Sequence, residues 1–418
     1  MSTVYINMNE ELLNLLCQHD EIKGRFIYSP LTSDWREPIT QMSFIQDLQK
    51  TLHNGDSLDL YAHIPFCQEL CTFCGCNVKI TSQKEVANHF AQNLIQEWKG
   101  YSPLLPQKQI RSLTLGGGTP TFLEPETLNQ LVLAIDPSKE LWKQIEIDPR
   151  SAKMAHFEVL QNLNFNRINV GIQDMNNDVM TNVNRFQSHE KIAEIFKWAK
   201  EYKIPEVFVD LIFGLPGQTQ DSISASTTEL LNFSPDFINL YPLVQVPWLS
   251  DTQKAYGHFQ TPETREKWQL YLTARSLLLE KGYESLGYGH FIHPKAPSYE
   301  SLKKGEVSRQ LMGILPFEVA PYLGLGPGSL SWSGHMMKQN EKVTEKYLHL
   351  IQNGLSTHTK SHLQSKLEVE NTHAFQNLFA QKNLDLKSKW IEDKKLNELG
   401  IELMKVIASE ILAEQKEI

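Results

Sequence analysis

From about Leu58 to Leu243 the chain alternates short apolar runs with longer amphipathic stretches. The runs are LDLYAHI (Leu58–Ile64), SLTLGGG (Ser112–Gly118), IEID (Ile145–Asp148), INVGI (Ile168–Ile172), VFVDLIFGL (Val207–Leu215) and FINLYPLV (Phe237–Val244). They are short and often β-branched, the pattern of strands buried on both faces. Between them, helical spacing predicts helices at Lys84–Trp98, Pro125–Ile135, Ala152–Leu163, His189–Tyr202 and Ser222–Leu231. Six strand–helix alternations predict a parallel sheet with right-handed crossovers, either open or closed into a full or partial barrel. In each case ligands sit at the C-terminal strand ends.

The flanks read differently. Residues 1–55 predict one helix and a turn-rich stretch, GRFIYSPLTSDW (Gly24–Trp35). After the core, a helix at Thr264–Lys281 leads to YESLGYGHF (Tyr283–Phe291) and then to YLGLGPGSLSWSG (Tyr322–Gly334). The glycine spacing of the last segment predicts tight turns near a ligand or a domain seam. From Glu341 onward the chain is polar and largely helical, and no internal repeat interrupts it. The chain thus divides into an N-terminal extension (1–55) covering the active site, a core (56–290) and a mixed or helical C-terminal domain (291–418).

Composition narrows the function classes. A net charge of −9 argues against a nucleic-acid partner, which would need a concentrated basic surface. No stretch approaches the roughly 18 uninterrupted apolar residues of a membrane span. The first twenty residues are polar and acidic, unlike a secretory leader. Five cysteines, four of them between Cys67 and Cys76, do not form a disulfide framework. A reducing compartment, the cytoplasm, follows as the expectation.

Those cysteines carry the chemistry. The segment YAHIPFCQELCTFCGCN (Tyr61–Asn77) supplies soft thiolate ligands suited to iron–sulfur clusters or zinc. Cys67, Cys71 and Cys74 can hold three corners of a 4Fe-4S cube and leave one iron open, whereas a structural site closes with a fourth ligand. Cys76 stands two residues beyond Cys74, too near to reach a separate corner without distorting the loop, and reads as a supporting residue. The alternative is a zinc site completed by His63 or Cys76. Cys17 stands apart as a small buried apolar side chain.

C-x-x-x-C-x-x-C after a first strand resembles the signature of the radical S-adenosylmethionine (SAM) superfamily. The H-I-P-F-C opening (His63–Cys67) and C-G-C-N ending (Cys74–Asn77) resemble the oxygen-independent coproporphyrinogen III oxidase family in particular. The resemblance runs from about Gly24 to Asn340 and is strongest from Tyr61 to Pro216. It implies a partial (β/α)6 TIM-like radical SAM barrel with an N-terminal extension and a small, mostly helical C-terminal domain.

Downstream motifs fall at successive strand ends. GGGTPTFL (Gly116–Leu123) resembles the family's G-G-G-T-P, implying Gly117 as a contact of one SAM and Gly118 with Thr119 as contacts of a second. In EIDPR (Glu146–Arg150), Asp148 reads as a helix cap with Pro149 at the first helical position, while Glu146 is assigned by resemblance to the first SAM. The resemblance also implies Tyr61 for the first SAM, and Phe73, Gln173 of GIQD, Arg185 of VNR and Asp210 of DLIFGLPG for the second. It adds Val244 and Leu330 to the cofactor contacts. Asp210 also stands out by itself, since an unpaired charge in an apolar strand is costly.

The chemistry that the resemblance implies is reductive cleavage of SAM at the open iron. The resulting 5′-deoxyadenosyl radical takes a hydrogen from a propionate of coproporphyrinogen III, and decarboxylation leaves a vinyl group. Expected partners are a tetrapyrrole and an electron donor such as flavodoxin or ferredoxin. A substrate with four propionates needs cationic groups and an apolar wall, for which Arg25, His290, Phe26, Tyr28, Tyr288 and Phe291 are candidates. Three segments depart from the family pattern: RFIYSP (Arg25–Pro30), LYPLVQ (Leu240–Gln245) and the C-terminal region from 345. They favour a paralogue that uses a second SAM as a methyl or methylene donor on haem or a natural product. A haem-trafficking chaperone is the alternative of another class.

Overall fold

The computed structural model describes residues 3–22, 28–36, 38–244, 261–310, 313–382, 384 and 388–414. Twelve strands, numbered in chain order, build one sheet: β1 (Leu58–Ile64), β2 (Ile110–Gly117), β3 (Trp142–Ile147), β4 (Arg167–Gln173), β5 (Glu206–Phe213), β6 (Phe237–Pro242), β7 (Glu284–Gly287), β8 (His290–Ile292), β9 (Tyr322–Leu325), β10 (Leu330–Trp332), β11 (Met336–Asn340) and β12 (His358–Leu363). Their order is β12-β11-β10-β9-β1-β2-β3-β4-β5-β6-β8-β7. Strands β1 to β6 are parallel neighbours in sequence order, as six strand–helix alternations require.

Three features differ from the reading of the sequence. The N-terminal extension holds two helices, α1 (Thr3–Gln18) and α2 (Gln41–His53), the second closed by a reciprocal Thr40–Ser43 capping box. Tyr283–Phe291, for which the sequence predicts no element, holds the β7–β8 hairpin, antiparallel on the β6 edge. On the other edge β9 runs parallel to β1, and β10 to β12 continue the sheet antiparallel, so residues beyond 291 share the core's sheet.

The crossovers are α3 (Lys84–Tyr101), α4 (Pro125–Ile135), α5 (Met154–Asn162), the short α6 (Asn177–Asn182) with α7 (His189–Glu201), and α8 (Gln220–Leu231). Pro125 opens α4, Ser188 caps α7 and Thr219 caps α8, each ending a strand–helix loop cleanly. Helix α9 (Thr264–Glu280) packs against α8 and α1. The C-terminal part adds α10 (Tyr299–Lys303), α11 (Thr344–Gln352), α12 (Lys366–Ala380), α13 (Glu398–Glu402) and α14 (Met404–Glu414).

The two faces of the central strands differ in chemistry. One carries Leu58, Leu60, Ala62 and Ile64, then Leu113, Leu115, Ile145, Ile147, Ile168, Val170, Val209, Leu211, Ile238 and Leu240, all buried in the main core. The alternate positions are Asp59, Tyr61, His63, Thr114, Gln144, Glu146, Arg167, Asn169, Gln173, Asp210 and Asn239. Side chains two apart point the same way, so the second face is a polar lumen. Its floor is closed by ion pairs. Asp59 accepts from Arg111, Ser112 and Gln310, while Arg167 donates to Glu206 at 2.8 Å and stacks on Phe208. Toward the C-terminal ends, Tyr61, Glu146, Asn169, Gln173, Asp210 and Tyr241 remain partly accessible. Among the described residues no helix is long and apolar enough to cross a membrane.

Candidate active site

The cysteine loop leaves β1 at Pro65 and is pinned on three sides. Phe66–Cys67 pairs with Lys79–Ile80, Thr72 N donates to Val183 O, and Asn184 Nδ2 donates to Leu70 O at 2.8 Å. Asn77 anchors its far end, donating to Lys342 O at 2.9 Å and Pro327 O at 3.2 Å. The glycine-rich turn after β9 therefore meets the foot of the loop. A Cβ on Gly328 would lie 2.7 Å from Asn77, and one on Gly326 would lie 2.5 Å from His63 O. The glycines from 324 to 328 thus serve a seam, one of the two roles their spacing suggested.

His63 is locked by two hydrogen bonds, Nδ1 to the Tyr61 hydroxyl (3.1 Å) and Nε2 to Asn77 O (2.8 Å). Burial holds its imidazole down at about 4, against the pull of the Asn77 carbonyl. With both ring nitrogens engaged, His63 does not complete a zinc site. The three thiols have different partners. Cys67 Sγ is 3.4 Å from Thr119 Oγ1, Cys71 Sγ accepts from Arg150 and Arg185 at 3.4 Å each, and Cys74 N donates to Cys71 O. Burial pushes the Cys67 thiol up to about 11, while hydrogen bonding from exposed Cys76 draws Cys74 down to about 7 against burial. Among the described residues no three Cys, His, Asp or Glu side chains close to the spacing of a single ion. Cys67, Cys71 and Cys74 would supply soft thiolates to a 4Fe-4S cluster, and Arg150 and Arg185 on Cys71 would offset its negative charge. The donor set therefore fits a cluster.

At the end of β2, Gly117 has φ +115° and donates its N–H to Glu146 Oε2 at 3.1 Å. A Cβ on Gly118 would come within 2.8 Å of the Pro65 and Phe66 carbonyl oxygens, so its bareness lets the cysteine loop lie across β2. Beyond β3, Asp148 pairs with Arg150 at 2.7 Å and Arg185 at 3.0 Å. Burial would raise that carboxyl, but the two guanidiniums hold it at about 2. Asp148 is thus a charge partner that accepts from Arg150 N in a turn, not the helix cap expected, because α5 begins only at Met154 with Lys153 at its N-cap.

Arg185 spends its Nη atoms on Asp148, Cys71 and Gly171 O, leaving Nε buried without a protein partner. Gln173, at a bulge where β4 leaves β5, adopts φ +72°, a conformation unusual for a side-chain-bearing residue. Asp210 accepts from Asn239 at 2.5 Å, and burial pushes its carboxyl up to about 6 despite that bond and Arg185. Phe73 packs with Ile212, Leu215 and Leu243 in a small apolar cluster at the rim, and Val244, half-buried, follows Leu243. Leu330 and Tyr61 both flank the aromatic cluster of Tyr28, Trp35, Tyr322 and Trp332.

The substrate candidates separate. Phe291 is fully buried against Tyr271 on the helix side of the sheet, because its neighbour His290 faces the lumen. It belongs to the core rather than to a pocket wall. Tyr28 packs with Trp35. Arg25 and Phe26 lie outside the described residues. His290 and Tyr288 stay together through Arg309, which the sequence reading missed. Arg309 Nε donates to His290 Nε2 at 3.4 Å and its guanidinium lies 4.2 Å from the Tyr288 ring. The signal that could have found Asn169 and Asn239 is their period-two alternation with apolar residues.

Residues 61–228 match the family model described as radical SAM superfamily. Oxygen-independent coproporphyrinogen III oxidase of Escherichia coli (strain K12) is 28% identical over 339 residues, 80% of this chain and 74% of that relative. The enzyme of the same name from Paracoccus denitrificans (strain Pd 1222) is 30% identical over 313 residues, 74% of this chain and 69% of the relative. The solved structure of coproporphyrinogen III oxidase from Escherichia coli, a radical SAM enzyme, superposes with a TM-score of 0.79 at 26% identity, covering 85% of this chain and 82% of that one.

Proposed function

Because the chain belongs to the oxygen-independent coproporphyrinogen III oxidase family of radical SAM enzymes, we propose that it oxidatively decarboxylates propionates of coproporphyrinogen III to vinyl groups with two bound SAM molecules. The observation that carries this reading is the rim of the lumen. Cys71 after β1, Glu146 on β3, Gln173 at the end of β4 with Arg185 beyond it, and Asp210 on β5 come from four strands and lie toward their C-terminal ends. When bound, the 4Fe-4S cluster supplies one electron that cleaves SAM and so generates the hydrogen-abstracting radical.

The residues of the chain bind, orient and exclude water. Cys67, Cys71 and Cys74 would hold the cluster, and the Gly117 amide with Glu146 offers a donor–acceptor pair for the amino-acid end of the first SAM. Tyr61 and Leu330, both packed against the Tyr28–Trp332 aromatic cluster, support an adjoining contact. Phe73 with Ile212 and Leu243 forms an apolar platform beside Gln173, Arg185 and Asp210 for the second SAM. Thr119, Gly118 and Val244 complete these sets, and the segment 1–55 reads as the cover. An electron donor of flavodoxin or ferredoxin type supplies the electron that cleaves SAM, and a one-electron acceptor takes the electron left on the substrate as carbon dioxide departs. The apolar run Pro242–Val244 beside that platform favours a second reading, in which the second SAM donates a methyl group.

One anaerobic assay separates these readings. The reconstituted enzyme is given SAM, dithionite and coproporphyrinogen III, and 5′-deoxyadenosine and porphyrin mass are followed. Loss of carbon dioxide supports the first reading, and added methyl mass in a parallel assay with haem in place of coproporphyrinogen III supports the second. Stable haem binding without turnover in both assays would overturn both readings and point to a chaperone. Cys67→Ala should abolish the iron–sulfur absorbance and Cys76→Ala largely preserve it; loss of the cluster in the latter would reassign the open corner.

A further inference from the structure

Cys71 is the thiol most enclosed by cations. Arg150 Nη2 and Arg185 Nη1 both stand 3.4 Å from its sulfur, and both also bind Asp148 Oδ2, at 2.7 and 3.0 Å. Two guanidiniums and one carboxylate leave a formal excess of one positive charge against this sulfur. Cys67 meets a neutral hydroxyl instead. The fourth charge, Glu69, lies 3.4 Å from Arg150 Nη1, but its side chain is 60% exposed and water screens it.

The two arginines differ in what else they hold. Arg185 ties the end of β4 through Gly171 O and has a side chain only 8% exposed. Arg150 lies on the loop after β3, reaches out to the cysteine loop, and is 21% exposed. Its planar fork lets Nε and Nη2 grip Asp148 while Nη2 also points at the sulfur, a division of labour that a lysine cannot copy.

We propose that Arg150, held by Asp148, is a positioning residue that raises the reduction potential of the cluster by donating to the Cys71 sulfur. The inference rests on the cluster reading above. Reduction adds one electron, and so one negative charge, to a group already anionic through its thiolates. A cationic donor on a ligand sulfur stabilises the reduced form more than the oxidised one, and the potential rises. Arg185 acts in the same sense but cannot be removed without disturbing β4.

The test is an EPR-monitored dithionite titration of the reconstituted holoenzyme without SAM, alongside iron and sulfide content. Arg150→Gln should keep its iron and shift the midpoint negative. At the potential that half-reduces the wild-type cluster, its reduced-to-oxidised ratio should fall about tenfold, equivalent to about 59 mV for one electron. Arg150→Lys, which keeps the charge but not the fork, should fall between the two and serves as the measure if the glutamine variant loses iron. An unchanged midpoint in a variant with full iron overturns the proposal. A wild-type protein that forms no 4Fe-4S cluster would instead overturn the cluster reading.

Discussion

Asn239 Nδ2 lies 2.5 Å from Asp210 Oδ1, the last link of a hydrogen-bonded chain whose direction is set from outside the lumen. Arg309, which only donates, gives an N–H to His290 Nε2. That fixes the imidazole proton on Nδ1, which donates to Asn239 Oδ1 at 2.5 Å. The Asn239 amide must then donate to Asp210. Burial, with Arg309 adding to it, keeps His290 neutral by holding it well below its ordinary range.

Asp210 carries a stability cost in return for its place at the rim. Its folded pKa, raised by burial to about 6, exceeds the unfolded value, so the folded state holds the proton more tightly. Stability therefore falls as pH rises from about 4 to 6, and the full penalty applies above that. Asp210→Asn should unfold at a higher temperature than wild type at pH 8, by about 1–2 kcal/mol after allowing for partial access of water, with the gain vanishing near pH 4. SAM binding measured by equilibrium dialysis should drop by about one molecule per chain. No stabilisation at pH 8 would show that the carboxylate is compensated in the lumen.

His63 gives the opposite slope. Its folded pKa is depressed to about 4, below the unfolded value, because burial disfavours the imidazolium. The stability this neutral imidazole contributes is present above about 6.5 and is lost as pH falls toward 4, up to about 3 kcal/mol. Urea denaturation of His63→Gln, which can still donate to Asn77 O, should show a flatter acid limb than wild type. An identical limb would mean that other groups dominate acid unfolding.

Gly118 has no room for a methyl group. Its Cβ would sit 2.8 Å from two carbonyl oxygens of Pro65 and Phe66, backbone atoms that precede Cys67 directly. Gly118→Ala should cost about 1–3 kcal/mol and lower iron incorporation, because relief of the clash must shift the cysteine loop. Thermal unfolding and iron per chain measure both. Full iron with unchanged stability would show that the loop can move without losing its ligand geometry.

Much of the architecture was legible because it is local. Pro125–Ile135 matches the helix read from spacing alone, and β1 spans the run LDLYAHI residue for residue. The polar lumen is written in the same strings, as Asp59, Tyr61 and His63 or Asn169, Gly171 and Gln173 at every second place, but apolar neighbours mask it and only Asp210 stands out as a charge in its strand. Tyr283–Phe291 hid its hairpin because Tyr288 and Gly289 turn with positive φ, which spacing does not announce.

Period, chain spacing and the clustering of four cysteines between Cys67 and Cys76 are properties of neighbours along the chain, and the sequence alone determined them: alternating strands and helices, and a thiolate loop after the first strand. The tertiary structure alone decided which charges face which. Arg150 and Arg185 reach Cys71 across 79 and 114 residues, and Asn77 finds Pro327 across 250. Such pairs form because parallel strands bring their C-terminal ends to one rim, where buried charges must find partners, and neither condition is carried by a residue's neighbours in sequence.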